Sequence, residues 1–286
     1  MQSIFYICHM LNFMIYMLFK GEKMKKLLFL FAIVLCYICG LYAFQDKLIF
    51  YPHKYYQNPG TSRLSQFKEV YVSAEDGTEL RFWYSAGNKE KPAILYFHGN
   101  AFQNAFFAPY LKPFINDGYA VLMMEYRGFG KTEGHLSQDT VFQDAATAFD
   151  WLQKQNYPQI IVYGYSFGCA VSLGLSTLRT PDKMILTAPF ASLIRLVKEK
   201  PVPLAGLVLR DHYQSEEFIK NYHNPLLIIH GTEDRLIPYH HSEILYENSV
   251  SDDKTLVLLP SETHQTVFMG EKNLPSVFKW LQRENP

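Results

Sequence analysis

The sequence predicts an α/β domain behind an N-terminal membrane anchor, with a mainly parallel sheet of about eight strands, helices on both faces and a small cap. Three observations lead there. Short apolar runs recur along the chain, each separated from the next by a helical stretch or a long loop, which is the rhythm of parallel strands and crossover helices. A pentapeptide, Gly164-Tyr165-Ser166-Phe167-Gly168, stands between one such run and a stretch of small residues. An uncharged run of eighteen mostly apolar residues, Leu27 to Phe44, precedes them all.

A length of 286 residues at 48% hydrophobic content suits one domain of this class plus an extra segment. Lys plus Arg and Asp plus Glu balance at 27 each. No basic field recruits nucleic acid and no acidic tail is present, so no nucleic-acid partner is expected. Of four cysteines, Cys8, Cys36 and Cys39 lie in the apolar N-terminal region and only Cys169 lies in the domain. A disulfide within the domain is therefore excluded, and Cys169 is expected to be a small buried thiol rather than a reactive one.

Leu27 to Phe44 is long enough to span a bilayer and follows Lys20, Lys23, Lys25 and Lys26. A cleaved signal peptide would need a shorter core and small residues before the cut, where only Leu41-Tyr42-Ala43 stands. Nor do small residues immediately precede Cys36 or Cys39, as lipid attachment would require. Residues 27–46 are thus read as an uncleaved signal anchor. In residues 1–26, the stretch Ile4 to Phe19 is interrupted by His9 and Asn12 and is either a second span or lies before a true start at Met24. Both readings keep the lysines cytoplasmic and put the domain, residues 47–286, on the extracytoplasmic side.

Gln45 to Gly60 reads as an irregular, aromatic linker. Glu69–Ser73 and Glu79–Ser85 flank an Asp76-Gly77 turn and form a hairpin. Ala93–Phe97, Ala120–Met124, Ile160–Tyr163, Met184–Thr187, Pro225–Ile229 and Thr255–Leu259 are the remaining strands. Val141 to Gln153 and Pro275 to Arg283 are helices, the first with Phe142, Ala145, Ala146, Phe149 and Leu152 at helical spacing. Ser192 to Tyr222 is too long for a simple crossover and reads as a cap, whose apolar face either lines an acyl pocket or packs on the sheet edge.

A serine hydroxyl is a poor nucleophile unless a sharp strand-to-helix turn exposes it to a base. The two glycines around Ser166 make that turn possible, and the strand before and helix after supply its setting. The base must in turn be oriented by an acid. Asp234 and His264 each follow a strand end, in the order Ser, Asp, His. Glu233 competes with Asp234 but stands one residue early. The oxyanion donors expected are the N–H of Phe167, after the nucleophile, and that of Asn100, in the loop His98-Gly99-Asn100. His98 and His230, each before a glycine at a strand end, read as structural. No cofactor or metal is expected. The glycines of Tyr126 to Gly134 lack a helix N-terminus at phosphate-loop spacing, and no cluster of metal ligands stands at fixed spacing.

In Leu48-Ile-Phe-Tyr-Pro52, Phe97-His-Gly-Asn100, Tyr126-Arg-Gly-Phe-Gly130, Gly164 to Gly168, Leu209-Arg-Asp211 and His230 to Pro238, the chain resembles the α/β-hydrolase superfamily. The resemblance runs from Leu48 to Leu281 and is closer to the membrane-anchored branch related to the bud-emergence (Bem-type) hydrolases. It implies the α/β-hydrolase fold, Ser166 as nucleophile, Asp234 as acid and His264 as base. The departure is Phe102, bulky where the family usually has a small residue, which bears on pocket shape.

The function expected is cleavage of carboxylic esters or thioesters of hydrophobic, lipid-like acyl groups. Two rivals stand beside it. A serine exopeptidase of the prolyl-peptidase type would use the same triad but needs an acidic patch for a free amino terminus. A non-catalytic anchored interaction protein would not label with a serine-directed probe.

Overall fold

The computed structural model describes residues 22–52 and 64–283. The Ile4–Phe19 stretch with Cys8, the lysine at position 20 and Asn58-Pro59-Gly60 lie outside the described residues.

The chain enters through a 28-residue helix, α1 (Glu22–Ile49). Gln45 to Ile49, expected as irregular linker, continues this helix. No proline interrupts it before Pro52, which drives Tyr51 to an extended conformation and ends the helical run. In chain order follow β1 (Tyr51–Pro52), β2 (Lys68–Ser73), β3 (Glu79–Ser85), β4 (Ala93–Phe97), β5 (Ala101–Phe102), α2 (Asn104–Asn116), β6 (Ala120–Met124), α3 (Gln138–Gln153), β7 (Ile160–Tyr165) and α4 (Phe167–Ser176). Then come β8 (Lys183–Thr187), α5 (Leu193–Lys198), α6 (Ala205–Val208), α7 (Ser215–Phe218), β9 (Leu226–Gly231), α8 (His240–Asn248), β10 (Lys254–Leu259), α9 (Thr266–Met269) and α10 (Asn273–Leu281). Helix α3 starts earlier than its apolar period because Ser137 and Thr140 form a reciprocal capping box. Pro275 lies in the first turn of α10, where its missing N–H costs nothing, so that helix begins at Asn273.

Eight strands form one sheet in the order β10-β9-β8-β7-β4-β6-β3-β2. Strands β4 and β6 to β10 run parallel. At one edge β3 joins β6 antiparallel and carries β2 as a hairpin. Alternation along each strand sends side chains to opposite faces. Leu95, Phe97, Leu122, Met124 and Val162 join one core with α3 and α4 residues such as Ala145 and Val171. Ile94, Tyr96, Val121, Met123 and Ile161 join another with Leu111 and Trp280 from α2 and α10. Because both faces of β4, β6 and β7 are covered, these strands read as unbroken apolar runs rather than alternating ones.

From β4 the chain steps one way to β6, then crosses back to β7 and continues in the opposite direction. The carboxyl ends of β4 and β7 therefore flank a topological switch point, where open α/β sheets form their binding crevice. The short helices α5, α6 and α7 lie between β8 and β9 in the stretch expected to form a cap.

Candidate active site

Ser166 connects β7 to α4 at φ 55°, ψ −116°. A positive φ is uncommon for a residue with a side chain, and here the neighbours impose it. A Cβ built on Gly164 would stand 2.5 Å from the carbonyl oxygen of Gly168, and one on Gly168 only 2.0 Å from that of Phe97. The missing side chains let α4 press its first turn onto the end of β4.

The structure brings Ser166, His264 and Asp234 together from three loops. The Ser166 hydroxyl donates to His264 Nε2 at 2.9 Å, and His264 Nδ1–H donates to Asp234 Oδ2 at 2.7 Å. Ser166 and Asp234 are both buried at 5% exposure, so a positioned base rather than bulk water meets the hydroxyl proton. The other carboxylate oxygen of Asp234 accepts the backbone N–H groups of Leu236 and Ile237 at 2.9 and 2.8 Å. Burial pushes the Asp234 carboxyl up, yet hydrogen bonds from His230, His264 and the Ile237 N–H outweigh it and hold the group well below the usual carboxylate range. Glu233, the competing acid, points out to solvent.

His230 braces Asp234. Its Nε2–H is shared between the carbonyl of Ile237 at 2.9 Å and Asp234 Oδ2 at 3.2 Å. The Ser242 hydroxyl donates to its Nδ1 at 2.6 Å, which fixes the tautomer. Tyr165 holds the base from behind, its hydroxyl donating to the His264 carbonyl at 2.9 Å while its ring stacks on Phe268 at 4.6 Å.

Phe167 is the first residue of α4, so its N–H has no partner within that helix. Beside it runs the loop after β4. A Cβ built on Gly99 would lie 3.6 Å from that of Ser166. Three bonds set the loop's course. Tyr126 donates its hydroxyl to the His98 carbonyl at 2.7 Å, His98 Nδ1–H donates to the Gly99 carbonyl at 2.7 Å, and Asn100 Nδ2 donates to the Ile49 carbonyl at 2.6 Å. The N–H of Tyr51 donates to the Asn100 carbonyl at 2.9 Å, and β1 pairs in parallel with β5 just beyond. The C-terminal end of α1 is thereby tied to the loop that carries Asn100. Phe102 takes a positive φ of 67°, is 40% exposed and stacks on Phe106 at 4.2 Å.

Cys169 is buried on α4 and its thiol donates to the carbonyls of Gly164 and Thr187, while burial pushes its pKa well up. It is an inert packing group. The chain also assembles a cluster that its spacing conceals. Glu199, His240 and His241 place ligand atoms within 4.8 Å of one another. The N–H of Ala191 donates to His241 Nδ1 at 3.2 Å, so its Nε2 bears the proton given to Glu199 Oε2 at 3.2 Å. A metal at that nitrogen would require an imidazolate, and the cluster closes on itself as hydrogen bonds instead. Also missed from sequence is Arg127, whose guanidinium grips Asp144 through two bonds of 2.8 and 2.7 Å and reaches Asp76 in the β2–β3 turn. The one sequence signal for it is the Arg within the Tyr126 to Gly134 loop.

The family model described as "Hydrolase_4: Serine aminopeptidase, S33" matches residues 88–215 and 208–273. The chain is 33% identical over 244 residues to the uncharacterized protein MT2364 of Mycobacterium tuberculosis, covering 82% of this chain and 86% of that protein. It is 27% identical to the alpha/beta hydrolase domain-containing protein WAV2 of Arabidopsis thaliana, covering 89% and 93%. Among solved structures, the Pyrococcus furiosus esterase Pf2001 superimposes with a TM-score of 0.68 at 21% identity, covering 82% of this chain and 98% of that one. These matches reach the superfamily, and the bud-emergence branch rests on the motifs alone. The chain belongs to the Hydrolase_4 family and is a serine hydrolase of the α/β-hydrolase superfamily.

Proposed function

We propose that the protein hydrolyses carboxylic esters or thioesters of hydrophobic acyl groups while anchored in a membrane by α1. The observation that carries this reading is the Ser166–His264–Asp234 chain of hydrogen bonds, 2.9 and 2.7 Å long, at the switch point of the sheet. Ser166 Oγ attacks the acyl carbonyl as His264 Nε2 takes its proton, and Asp234 stabilises the imidazolium that forms. The N–H groups of Phe167 and Asn100 receive the oxyanion. His264 then returns the proton to the leaving alcohol or thiol, and a water deprotonated by the same nitrogen releases the acid.

An aminopeptidase, which the family description names, needs a carboxylate to hold the substrate's ammonium. In the described cap, Glu216 is bonded to Ser192 and Arg195, Glu217 to Lys220, Glu199 to the two histidines, and Asp211 accepts the Gln138 N–H with the Arg210 charge nearby. That favours esters. By length and composition α1 is able to cross a membrane, and the lysines before Leu27 would keep its start cytoplasmic and the catalytic domain outside.

The test is fluorophosphonate labelling of the membrane-bound protein beside Ser166→Ala, followed by initial rates on p-nitrophenyl esters and aminoacyl anilides. We expect labelling that vanishes in the variant, ester turnover falling by at least about 10⁴-fold, and anilides left essentially uncleaved. Anilide cleavage exceeding ester cleavage would establish the peptidase, and an unlabelled wild type would leave only the interaction protein.

A further inference from the structure

Part of the cap runs alongside α1 within the apolar run. Ile38, Leu41, Gln45 and Ile49 form a shielded stripe on the helix at spacings of three and four, while most of its other positions are exposed. Against this stripe lies the segment from Pro203 to Arg210. The Tyr37 hydroxyl donates to the Pro203 carbonyl at 2.9 Å, Gln45 Nε2 donates to the Val208 carbonyl at 3.2 Å, and the Arg210 N–H donates to Gln45 Oε1 at 2.8 Å. Tyr37 precedes Phe44, the end of the apolar run, by seven residues. At the helical rise that is about 10 Å. If α1 spans the bilayer, the cap tip enters the same leaflet to about that depth.

The chemistry of the tip suits that depth. Leu207 is 76% exposed, Leu204 44% and Val202 41%, an apolar group that a soluble surface has no reason to present. Pro201 and Pro203 lack an N–H that would need a partner in hydrocarbon. The polar side chains facing the tip from α1, Tyr37 and Gln45, are used up on cap backbone groups. An apolar wedge held about 5–10 Å below the headgroups is the usual arrangement of interfacial segments.

Between the tip and the helix lies a cavity of about 420 Å³, walled by Leu41, Leu48 and Ile49 on one side and Val197, Val202 and Val208 on the other. This is within the ~300–1,000 Å³ of small-molecule sites. Its inner wall ends beside the reaction centre. The Ile49 carbonyl accepts from Asn100, and Phe50, the next residue, sets its ring edge-on against Phe167 at 5.0 Å.

We infer that the cap tip and α1 share one leaflet, and that the groove between them takes the acyl chain of a bilayer lipid ester directly from the membrane and leads its carbonyl toward Ser166. This rests on the hydrolase and anchor readings above and adds the route and the substrate class. The occupant is a single hydrocarbon chain, because the walls are apolar from both elements apart from Gln45, which is bonded to the cap backbone, and Lys200, whose ammonium donates to the Leu236 carbonyl.

The experiment uses the full chain in phosphatidylcholine vesicles. Leu207→Trp, repeated as Val202→Trp, places a fluorophore at the tip. Its emission should be quenched by brominated phosphatidylcholine and spared by aqueous iodide, and the reverse result overturns the shared leaflet. Leu41→Trp and Ala205→Trp fill the groove from opposite walls. Each should lower the ratio of p-nitrophenyl decanoate to acetate turnover at least tenfold, and an unchanged ratio in both overturns the groove. Fluorophosphonate labelling of the wild type is read in the same vesicles. Its absence defeats the hydrolase reading, whereas labelling with an unchanged chain-length ratio defeats the groove alone.

Discussion

Asp234 is kept ionised by donors, and this sets what its replacement does. With Leu236 and Ile237 N–H groups on one oxygen and His264 and His230 on the other, a neutral amide must turn at least one N–H toward a donor. Asp234→Asn would favour the His264 tautomer that cannot accept the Ser166 proton, so kcat for p-nitrophenyl acetate should fall by about 10⁴-fold with KM little changed. A loss of tenfold or less would remove Asp234 from the role given to it. His241 supplies a separate pH signature. Burial pushes its pKa down to about 4 against the opposing pull of Glu199. Above the ordinary imidazole value of 6.5 both folded and unfolded chains hold it neutral, so it adds no pH dependence there. Between 6.5 and about 4 the unfolded chain binds a proton that the folded chain refuses, so stability is lost as pH falls through that window. Urea titrations at pH 7 and pH 5 should show the wild type losing more stability than His241→Gln, and equal losses would show that His241 does not titrate this way.

The loop that carries Asn100 is joined to the end of α1 by two very short strands. Pairing of Tyr51-Pro52 with Ala101-Phe102, together with the Asn100 side chain on the Ile49 carbonyl, sets the course of the backbone at Asn100. Asn100→Ala keeps the backbone donor and unties the side chain. Its kcat on p-nitrophenyl acetate should fall about tenfold, short of the 10²–10³ expected when an oxyanion donor is lost outright. An unchanged kcat would mean that the β1–β5 pairing alone sets the loop. Sequence could not have disclosed this joint, because two-residue strands have no periodicity and the bond spans 51 positions. The central strands could be read, because burial on both faces leaves unbroken apolar runs such as Ala93–Phe97 and Ala120–Met124. That Ser166, Asp234 and His264 meet could be anticipated for a related reason: glycines and strand ends mark them in a fixed chain order. Nothing comparable marks Arg127 with Asp144, or Glu199 with His240 and His241. Their partners meet only after the sheet has formed, and each residue alone has the composition of a solvated surface.

Over the whole molecule, α1 is packed against the rest of the chain as well as being long and apolar enough to cross a membrane. Its last turns cover apolar cap residues, its Gln45 satisfies the Val208 carbonyl and the Arg210 N–H, Asp46 pairs with Arg210, and Phe50 is 7% exposed against Phe167. Removing the helix therefore takes away part of the core. A chain beginning at Tyr51 loses the burial of Phe50, worth about 2 kcal/mol, before any loss from Ile49 or the hydrogen bonds is counted. For a domain of this size each kcal/mol moves Tm by about 2–4 °C, so a fall of at least about 5 °C is expected. The uncovered face of Val197, Val208 and Leu209 should also make the shortened protein self-associate in gel filtration, whereas a chain beginning at Ile38 keeps the contact stripe and should hold its Tm. If the Tyr51 variant stayed monomeric with an unchanged Tm, α1 would be a tether alone. The groove between helix and cap would then have no fixed inner wall, and the route it offers to an acyl chain would fall with it.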